Sequence, residues 1–305
     1  MQYAAVRAAL FTEAPAGTPH PAFAEQPSPT RRLRDAFEPI AMHQVWTEAV
    51  HTALAGTGLP FFAIYAWGRA AVLGDVDATV AAATFAVFDT EPVAGAIRAG
   101  QASIGRTELL ATMDRATIAS LHAVLDPIVE PAELTEVTAA LEHAVDAADG
   151  AGRPLFCGVR ALDRPADPLG AMWRACHALR EHRGDSHVAA FVGAGLDPVR
   201  MNILTELWIG YPLGGYSASR RWPAARTEAA LDRLRRDGLV DGDELTERGR
   251  ARRDEIEAAT DRAQDSVIEA LDDRLEPVVD ALGRWSDACV AAGVFPPDFR
   301  KRYAG

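Results

Sequence analysis

The stretch that decides the fold runs from Met201 to Ala263 and reads MNILTELWIGYPLGGYSASRRWPAARTEAALDRLRRDGLVDGDELTERGRARRDEIEAATDRA. Apolar residues at three- and four-residue spacing predict a helix over 201–208 and another over 227–237. Between them, Gly214-Gly215 predicts a turn, followed by a short helix over 217–222. Two helices joined through a short third one are typical of a helix-turn-helix.

The residues after Gly238 predict a small wing and a further helix. Leu239-Val240 and Glu244-Leu245 can pair across Asp241-Gly242-Asp243, because Asp-Gly favours a tight hairpin. Thr246 is a good N-cap for a long helix that extends through Pro277, a residue that kinks helices. The whole order is that of a winged helix-turn-helix.

Two segments resemble known families. The run LDRLRRDGLV…LTERGRARRDEIEAATDRA, within 231–263, resembles the recognition helix, wing and following helix of MarR-type regulators. A larger part of the chain, including LREHRGDSHVAAFVGAGL at 179–196, resembles an actinobacterial helix-turn-helix family of no established activity. The MarR resemblance implies that the third helix enters the major groove of DNA, that the wing reaches the minor groove and that the terminal helix builds a homodimer.

The same resemblance implies a set of DNA-binding residues. Its groove-facing candidates are Thr227, Arg233 and Arg236, and its phosphate-binding candidates are Ser219, Arg220, Arg221 and Arg226. Arginine suits both tasks, because its planar guanidinium donates two hydrogen bonds to a guanine edge or a phosphate. Basic residues outnumber acidic ones over 217–253, although the formal net charge of the chain is −12.

Two features oppose this assignment. The wing tip carries Asp241 and Asp243, which would repel phosphate, and Glu228 lies in the first turn of the third helix. Winged helices also serve as packing and dimerisation modules, so a ligand-binding or protein-binding use of the same fold stays open.

The whole chain is expected to be mainly α. Of the 305 residues 49% are hydrophobic, which suffices for a sizeable core. We predict a proline-rich arm over 1–32, a helical domain over 33–150 and the winged-helix domain over 151–305, with a boundary at Gly150–Gly152. A partial echo of Gly56–Gly74 in Gly193–Gly214 allows two interpretations, a degenerate helix-turn-helix repeat or chance similarity in an alanine-rich chain.

A ligand-sensing role is predicted for the aromatic residues of the helical domain. The run PFFAIYAWGRAAV at 60–72 is apolar nearly all round and predicts a buried helix. Its aromatic residues Phe61, Phe62, Tyr65 and Trp67, together with Trp173, are the predicted walls of a pocket for a small-molecule effector.

The rival hypothesis is an enzyme or a cofactor-binding protein on a repurposed winged helix. It rests on the segment WRACHALREHRGDSH at 173–187, whose candidates are Trp173, His177, Glu181, His182, Asp185 and His187. His177 and Glu181 share one helical face, whereas His182 points elsewhere, and we expect the helix to stop at Gly184. The alternative is a purely structural role, in which hydrogen bonds and salt bridges of Glu181, Arg183 and Asp185 hold the corner between two helices and the histidines donate to carbonyls.

Motifs for catalysis and metal binding are weak. The sequence has no HExxH, CxxC, GxSxG or P-loop, so we predict no cofactor and no metal; haem or a metal would enter only under the rival hypothesis. Whether the protein is an enzyme stays open, although the sequence favours a non-enzyme. Three widely spaced cysteines, no signal peptide and no apolar run of membrane-spanning length make a cytoplasmic location the expectation.

Overall fold

The computed structural model describes residues 1–304, and the fold is mainly α with one β-hairpin, as predicted. The helices are α1 Tyr3–Leu10, α2 Pro29–Ala41, α3 His43–Trp46, α4 Glu48–Ala53, α5 Phe61–Ala70, α6 Ala78–Ala83, α7 Thr90–Ser103, α8 Arg106–Leu125, α9 Pro131–Ala147, α10 Pro154–Arg160, α11 Pro168–Gly193, α12 Pro198–Trp208, α13 Gly215–Ser219, α14 Ala224–Arg236, α15 Glu247–Arg262, α16 Asp265–Leu271, α17 Leu275–Ala291 and α18 Phe299–Tyr303.

The hairpin lies between α14 and α15. Its strands are β1 Val240–Asp241 and β2 Glu244–Leu245, which pair antiparallel with Val240 opposite Leu245 and Asp241 opposite Glu244. Gly242 takes a positive φ of 56°, which glycine adopts without steric cost. The predicted hairpin across Asp-Gly is therefore confirmed. Its second strand has the predicted bounds 244–245, and its first strand begins at 240 rather than 239.

Side-chain caps explain where several helices begin. Asp77, Asp89, Asp167 and Thr246 each accept a hydrogen bond from a backbone NH of the first turn, as their sequence contexts predict. Asp197 does the same for α12, so this helix begins at Pro198 rather than at Met201. Three of the proline-opened helices, α2, α11 and α12, therefore also have a side-chain cap.

The predicted domains on either side of Gly150 share a core. One apolar cluster combines residues of α2 and α9 with residues of α11, α16 and α17, including the fully buried Trp173 and Trp285. α2 packs along α17, so the first long helix and the last one are neighbours. A second cluster fills α4 to α8, and a third fills the winged helix.

Helix α11 contradicts the predicted stop at Gly184. It runs without a break from Pro168 to Gly193, so the expected corner does not exist. Glycine inside a helix costs only about 1 kcal/mol relative to alanine, which burial of nearly the whole helix outweighs. After such a stop, Asp185 or Ser186 would be the cap of a second short helix; this prediction is wrong, because α11 continues through both residues.

The segment after the hairpin is also broken differently from the prediction. α15 ends at Arg262, α16 follows after Gln264, and Asp272 then adopts a positive φ of 47° before α17. Pro277 lies in the first turn of α17, where a missing NH costs little, and does not kink a longer helix. The single long terminal helix is therefore three consecutive helices.

Two further segments are more helical than predicted. The segment 152–163 follows the glycine boundary, where the sequence indicates a short extended piece, but it contains α10; the proline-rich arm contains α1. The arm lies across the body: Tyr3 donates to the carbonyl of Trp46 at 2.6 Å and Arg7 to that of Gly293 at 2.7 Å. No helix among residues 1–304 is long and apolar enough to cross a membrane.

The echo between the two halves has a counterpart in the element order. α5, α6 and α7 repeat the sequence of a longer, a short and a longer helix seen in α12, α13 and α14. Only two residues separate α7 from α8, so this segment has no room for a hairpin. Both interpretations of the echo, a degenerate helix-turn-helix repeat and chance similarity, therefore stay hypotheses.

Candidate nucleic-acid interface and the chamber behind it

A buried carboxylate holds the turn of the helix-turn-helix. Glu206, in α12, is fully buried and accepts hydrogen bonds from the NH groups of Gly214 at 2.7 Å, Tyr216 at 3.0 Å and Ser217 at 3.1 Å. It satisfies donors that the start of a helix leaves without a partner. Burial raises the pKa of Glu206, and the three NH groups oppose that rise. Sequence reasoning missed this residue, because its partners follow a turn.

The third helix of the unit, α14, has a buried side and an exposed side. Ala230, Leu231 and Leu234 pack into the winged-helix core, as the periodicity predicts. The outward side carries both charges; its exposed ionisable residues are Arg226, Glu228, Asp232, Arg233, Arg235 and Arg236. A helix in this position is the element that enters the major groove in helix-turn-helix proteins.

The arginines of α14 differ in their availability. Arg233 lies 3.3 Å from Asp197 Oδ2, and Arg235 binds the wing tip through Gly242 O and Asp243. Arg236 is exposed and forms no ion pair within residues 1–304. Arg226 is exposed and lies 5.8 Å from the ring centre of Trp222. Arg226 and Arg236 are therefore the most accessible cations of this helix.

The phosphate-binding candidates between α13 and α14 point in different directions. Arg221 is exposed and lies over the ring of Phe62 at 4.3 Å, with a positive φ of 69°. Arg220 turns inward, where it donates to the hydroxyl of Tyr216 at 2.8 Å and lies over the ring of Phe88 at 4.9 Å. The side chain of Ser219 donates to the carbonyl of Tyr216, and half-buried Thr227 makes a long contact of 3.5 Å with Pro223 O.

Behind the helix-turn-helix lies a chamber bounded by α2, α5, α11, α12 and α15. Its basic compartment has an empty volume of about 880 Å³, including the part open to solvent. Seven arginines line this compartment against two glutamates, Glu38 and Glu257. The arginines are Arg31, Arg34, Arg69, Arg180, Arg183, Arg220 and Arg253.

Carboxylates of the surrounding helices neutralise most of these arginines. Glu257 lies within 3.1 Å of Arg31, 2.5 Å of Arg183 and 2.8 Å of Arg253. Glu181 makes two hydrogen bonds with Arg69, at 3.0 and 2.7 Å, and one with Arg180 at 3.1 Å. Burial alone would raise the pKa of both glutamates, yet the arginines hold it well below its usual range.

The second compartment of the chamber is aromatic. It has an empty volume of about 760 Å³, and its walls include Phe61, Phe62, Tyr65, Trp46 and Phe88. Three of the predicted pocket residues, Phe61, Phe62 and Tyr65, are therefore together. The other two lie in cores: the indole of Trp67 donates to Ile104 O at 3.1 Å, and Trp173 is fully buried in the shared core.

The candidates of the rival hypothesis occupy separate sites along α11. Burial lowers the pKa of His177, whose Nε2 lies 3.8 Å from Glu181 Oε1. His182 contacts Gln264 at 2.7 Å on another side of the helix. His187 lines the basic compartment, where burial, reinforced by Arg253, lowers its pKa to about 3. Asp185 accepts from the NH of Phe156 at 3.0 Å and so caps α10.

The histidines are therefore neutral side chains with different partners. Within residues 1–304 no group of three or more His, Cys, Asp or Glu side chains is arranged to hold a metal ion. The structure thus brings Trp173, His177 and Glu181 together, whereas His182 and His187 have other partners. Asp185 lies near Glu181: burial raises the pKa of Asp185, and the charge of Glu181 raises it further.

The class of protein follows from α12, α13, α14, the hairpin and α15, which form a winged helix-turn-helix packed on a helical body. Comparison with known families agrees: the chain belongs to a helix-turn-helix family whose model matches residues 30–296. That match includes the helical body as well as the winged helix. No curated protein and no solved structure matches the chain.

Proposed function

We propose that the protein is a DNA-binding transcriptional regulator of the MarR type. The observation that carries this proposal is the exposed side of α14, which presents Arg226, Arg233 and Arg236 on the third helix of a winged helix-turn-helix. In such units the third helix lies in the major groove, where arginine can recognise guanine with two hydrogen bonds.

The finer parts of the proposal come from the resemblance and from the charge of this surface. Arg236 contacts a base edge, with Thr227 and Arg233 beside it, whereas Arg221 and Arg226 neutralise phosphates. The protein acts in the cytoplasm as a homodimer on a two-fold symmetric operator, and a small-molecule effector changes the distance between the two recognition helices.

Sequencing of genomic fragments retained by the purified protein at near-physiological salt tests the proposal. We expect a sharp palindromic site, and we expect Arg236→Ala to lower affinity for that site by about 10- to 100-fold, the cost of one lost bidentate contact. Arg115→Ala is the matched control, because Arg115 is an exposed arginine on α8. Retention without a shared site, or an unchanged affinity of Arg236→Ala, would contradict the assignment.

A second candidate function is a ligand-binding protein that uses the winged helix as a scaffold. The specific observation in its favour is the wing: the exposed Asp241 and Asp243 at its tip oppose the negative charge of DNA. In that case the genomic experiment yields no enriched site, and the rival pocket near His177 and the chamber become the functional centre.

A further inference from the structure

The basic compartment has more positive charge than its surroundings neutralise. Six of its seven arginines are paired with five carboxylates, those of Glu38, Glu181, Glu257, Asp35 and Asp261. Arg220 forms no ion pair within residues 1–304; its polar partners are the hydroxyls of Tyr216 and Ser219. A cation without a counterion is costly to hold away from water, so the chamber favours an anion as its occupant.

Individual donors in the chamber also lack partners. Arg34 is 2% exposed, and its Nη2 lies 3.4 Å from Glu38 Oε2, an ion pair in which neither atom has a hydrogen bond within residues 1–304. The Nε atoms of Arg183 and Arg253 are likewise buried without an acceptor in this part of the chain. Buried donors in native structures are usually satisfied, so an anion in the chamber would give these groups an acceptor.

The aromatic compartment joins the basic one at Arg220. Tyr65, Phe88 and Arg220 line both compartments, so an occupant can reach apolar rings and guanidinium groups together. Lys301, from α18, adds a third cation to the aromatic side, beside Arg180 and Arg220; burial, together with the nearby Arg220, lowers its pKa to about 8.

We propose that this chamber binds an organic anion with an apolar, ring-bearing body. Its carboxylate or phosphate group is held by Arg220 and the neighbouring arginines, and its body packs against Phe62, Tyr65 and Phe88. The shared chemistry is a compact anionic head on an apolar ring. A nucleic acid backbone does not suit the site, because Arg34 and Arg253 are almost completely buried.

The position of Arg220 connects the site to the helix-turn-helix. Arg220 follows α13 directly, and its carbonyl accepts from the NH of Asp89 at 3.0 Å. Two residues later, the indole of Trp222 donates to Val87 O at 2.9 Å. An occupant that contacts Arg220 therefore contacts the connection between α13 and α14. The proposed ligand is thus an effector class for the proposed regulator. Only the effect of the ligand on DNA binding rests on that proposed function; the binding of the ligand itself does not.

Titration of the full-length protein with four probes tests the ligand class without DNA. The probes are naphthoate, naphthyl phosphate, the neutral naphthalenemethanol and inorganic phosphate, followed by calorimetry and by the rise in melting temperature that a ligand causes. We expect binding of naphthoate or naphthyl phosphate, and the stronger of the two identifies the head group. Binding of the neutral alcohol as tight as that of the anions, or binding of none up to about 1 mM, would overturn the proposal.

Two glutamine variants separate the ligand site from the DNA site. Arg220→Gln should lower the affinity for the anionic probe by about 10- to 100-fold, since a charged hydrogen-bonding group is lost. Arg236→Gln, the matched control, removes an exposed arginine of α14 and should leave probe affinity unchanged while lowering affinity for an operator. An unchanged probe affinity in Arg220→Gln overturns the ligand site; an unchanged DNA affinity in Arg236→Gln contradicts only the regulator.

A further variant keeps the test decisive if Arg220→Gln does not fold. Lys301→Gln removes another cation of the aromatic compartment, from a half-buried position on α18. We expect at least about threefold weaker binding of the anionic probe, because the charge lies near the proposed head group. Equal affinity of wild type and Lys301→Gln would then overturn the proposal.

Discussion

At the scale of single residues, carboxylates that cap a neighbouring helix are a recurring device. Asp185, in the middle of α11, accepts from the NH of Phe156 in the first turn of α10. Glu206, in α12, does the same for α13. Each carboxylate is buried in a side of its own helix and satisfies donors of the next one. The cost of burying the charge should then appear in the pH dependence of stability.

Asp185→Asn should change that pH dependence. Burial raises the pKa of Asp185 to about 7, whereas an unfolded aspartate titrates near about 3.9. Between these values the folded protein binds the extra proton, so this contribution to stability is full below about pH 4 and is lost as the pH rises towards 7. Asparagine keeps the hydrogen-bond acceptor and cannot titrate. As the pH rises from about 4 to about 7, the free energy of unfolding of the wild type should therefore fall by at least about 1 kcal/mol more than that of the variant.

Urea unfolding of both proteins between about pH 4 and about pH 7.5 measures this difference. Glu228→Gln is a suitable control, because Glu228 is an exposed carboxylate on α14. If the wild type and Asp185→Asn gave parallel stability curves across this range, the raised pKa of Asp185 would be wrong.

At the scale of elements, the wing and the third helix form one unit. Arg235 binds Gly242 O at 2.8 Å and Asp243 at 3.2 Å, so the hairpin tip is tied to α14 by its own acidic residue. Asp243 therefore has a structural partner, whereas Asp241 is exposed and lies opposite Glu244 in the hairpin. Both acidic residues of the tip weaken the attraction of the wing to DNA. Only Asp243 also stabilises the hairpin, so Asp241 can be replaced without losing an ion pair.

Asp241→Lys should strengthen DNA binding. Replacing an acidic residue with a basic one beside phosphate adds about one phosphate contact, so the slope of log affinity against log salt should steepen by about 1. Asp163→Lys, on the exposed loop between α10 and α11, makes the same charge change away from the wing. Fluorescence anisotropy across a salt series measures both variants. Equal slopes for the two would show that the wing does not approach DNA.

At the scale of the whole molecule, one carboxylate joins the winged helix to the body. Glu257, on α15, binds Arg31 of α2, Arg183 of α11 and Arg253 of its own helix. The C-terminal segment lies beside this cluster, where the carbonyls of Arg302 and Tyr303 accept from Arg34 and Arg31. The arginines therefore hold distant parts of the chain together around the chamber. The negative charge of Glu257 offsets the repulsion among them.

Glu257→Gln should destabilise the protein by about 3–5 kcal/mol, the usual cost of removing one partner from a buried ion pair. The pKa of Glu257 is held low by these arginines, so its contribution is present at neutral pH and is lost as the pH falls below about 4. Chemical denaturation at neutral pH measures the loss. Glu255→Gln is the matched control, because Glu255 is an exposed neighbour paired with Arg252; equal effects would refute the role of Glu257.

The sequence by itself determined the elements with local signals. Apolar periodicity placed α12 and α14, Asp-Gly placed the hairpin, and caps such as Asp167 and Thr246 placed helix starts, because each signal acts within a few residues. It also grouped Phe61, Phe62 and Tyr65, which lie on one helix. The local signal at Gly184 misled, since burial of α11 outweighs the low helix propensity of one glycine.

Only the tertiary structure decided the chamber and the direction of Arg220. Arg31 and Glu257 are 226 residues apart in sequence, and no periodicity records such a contact. The same arginine type serves an exposed surface at Arg236 and a buried compartment at Arg220. Which of the two applies depends on the helices that pack around each residue, because the free energy of a charge is set by the water and counterions near it.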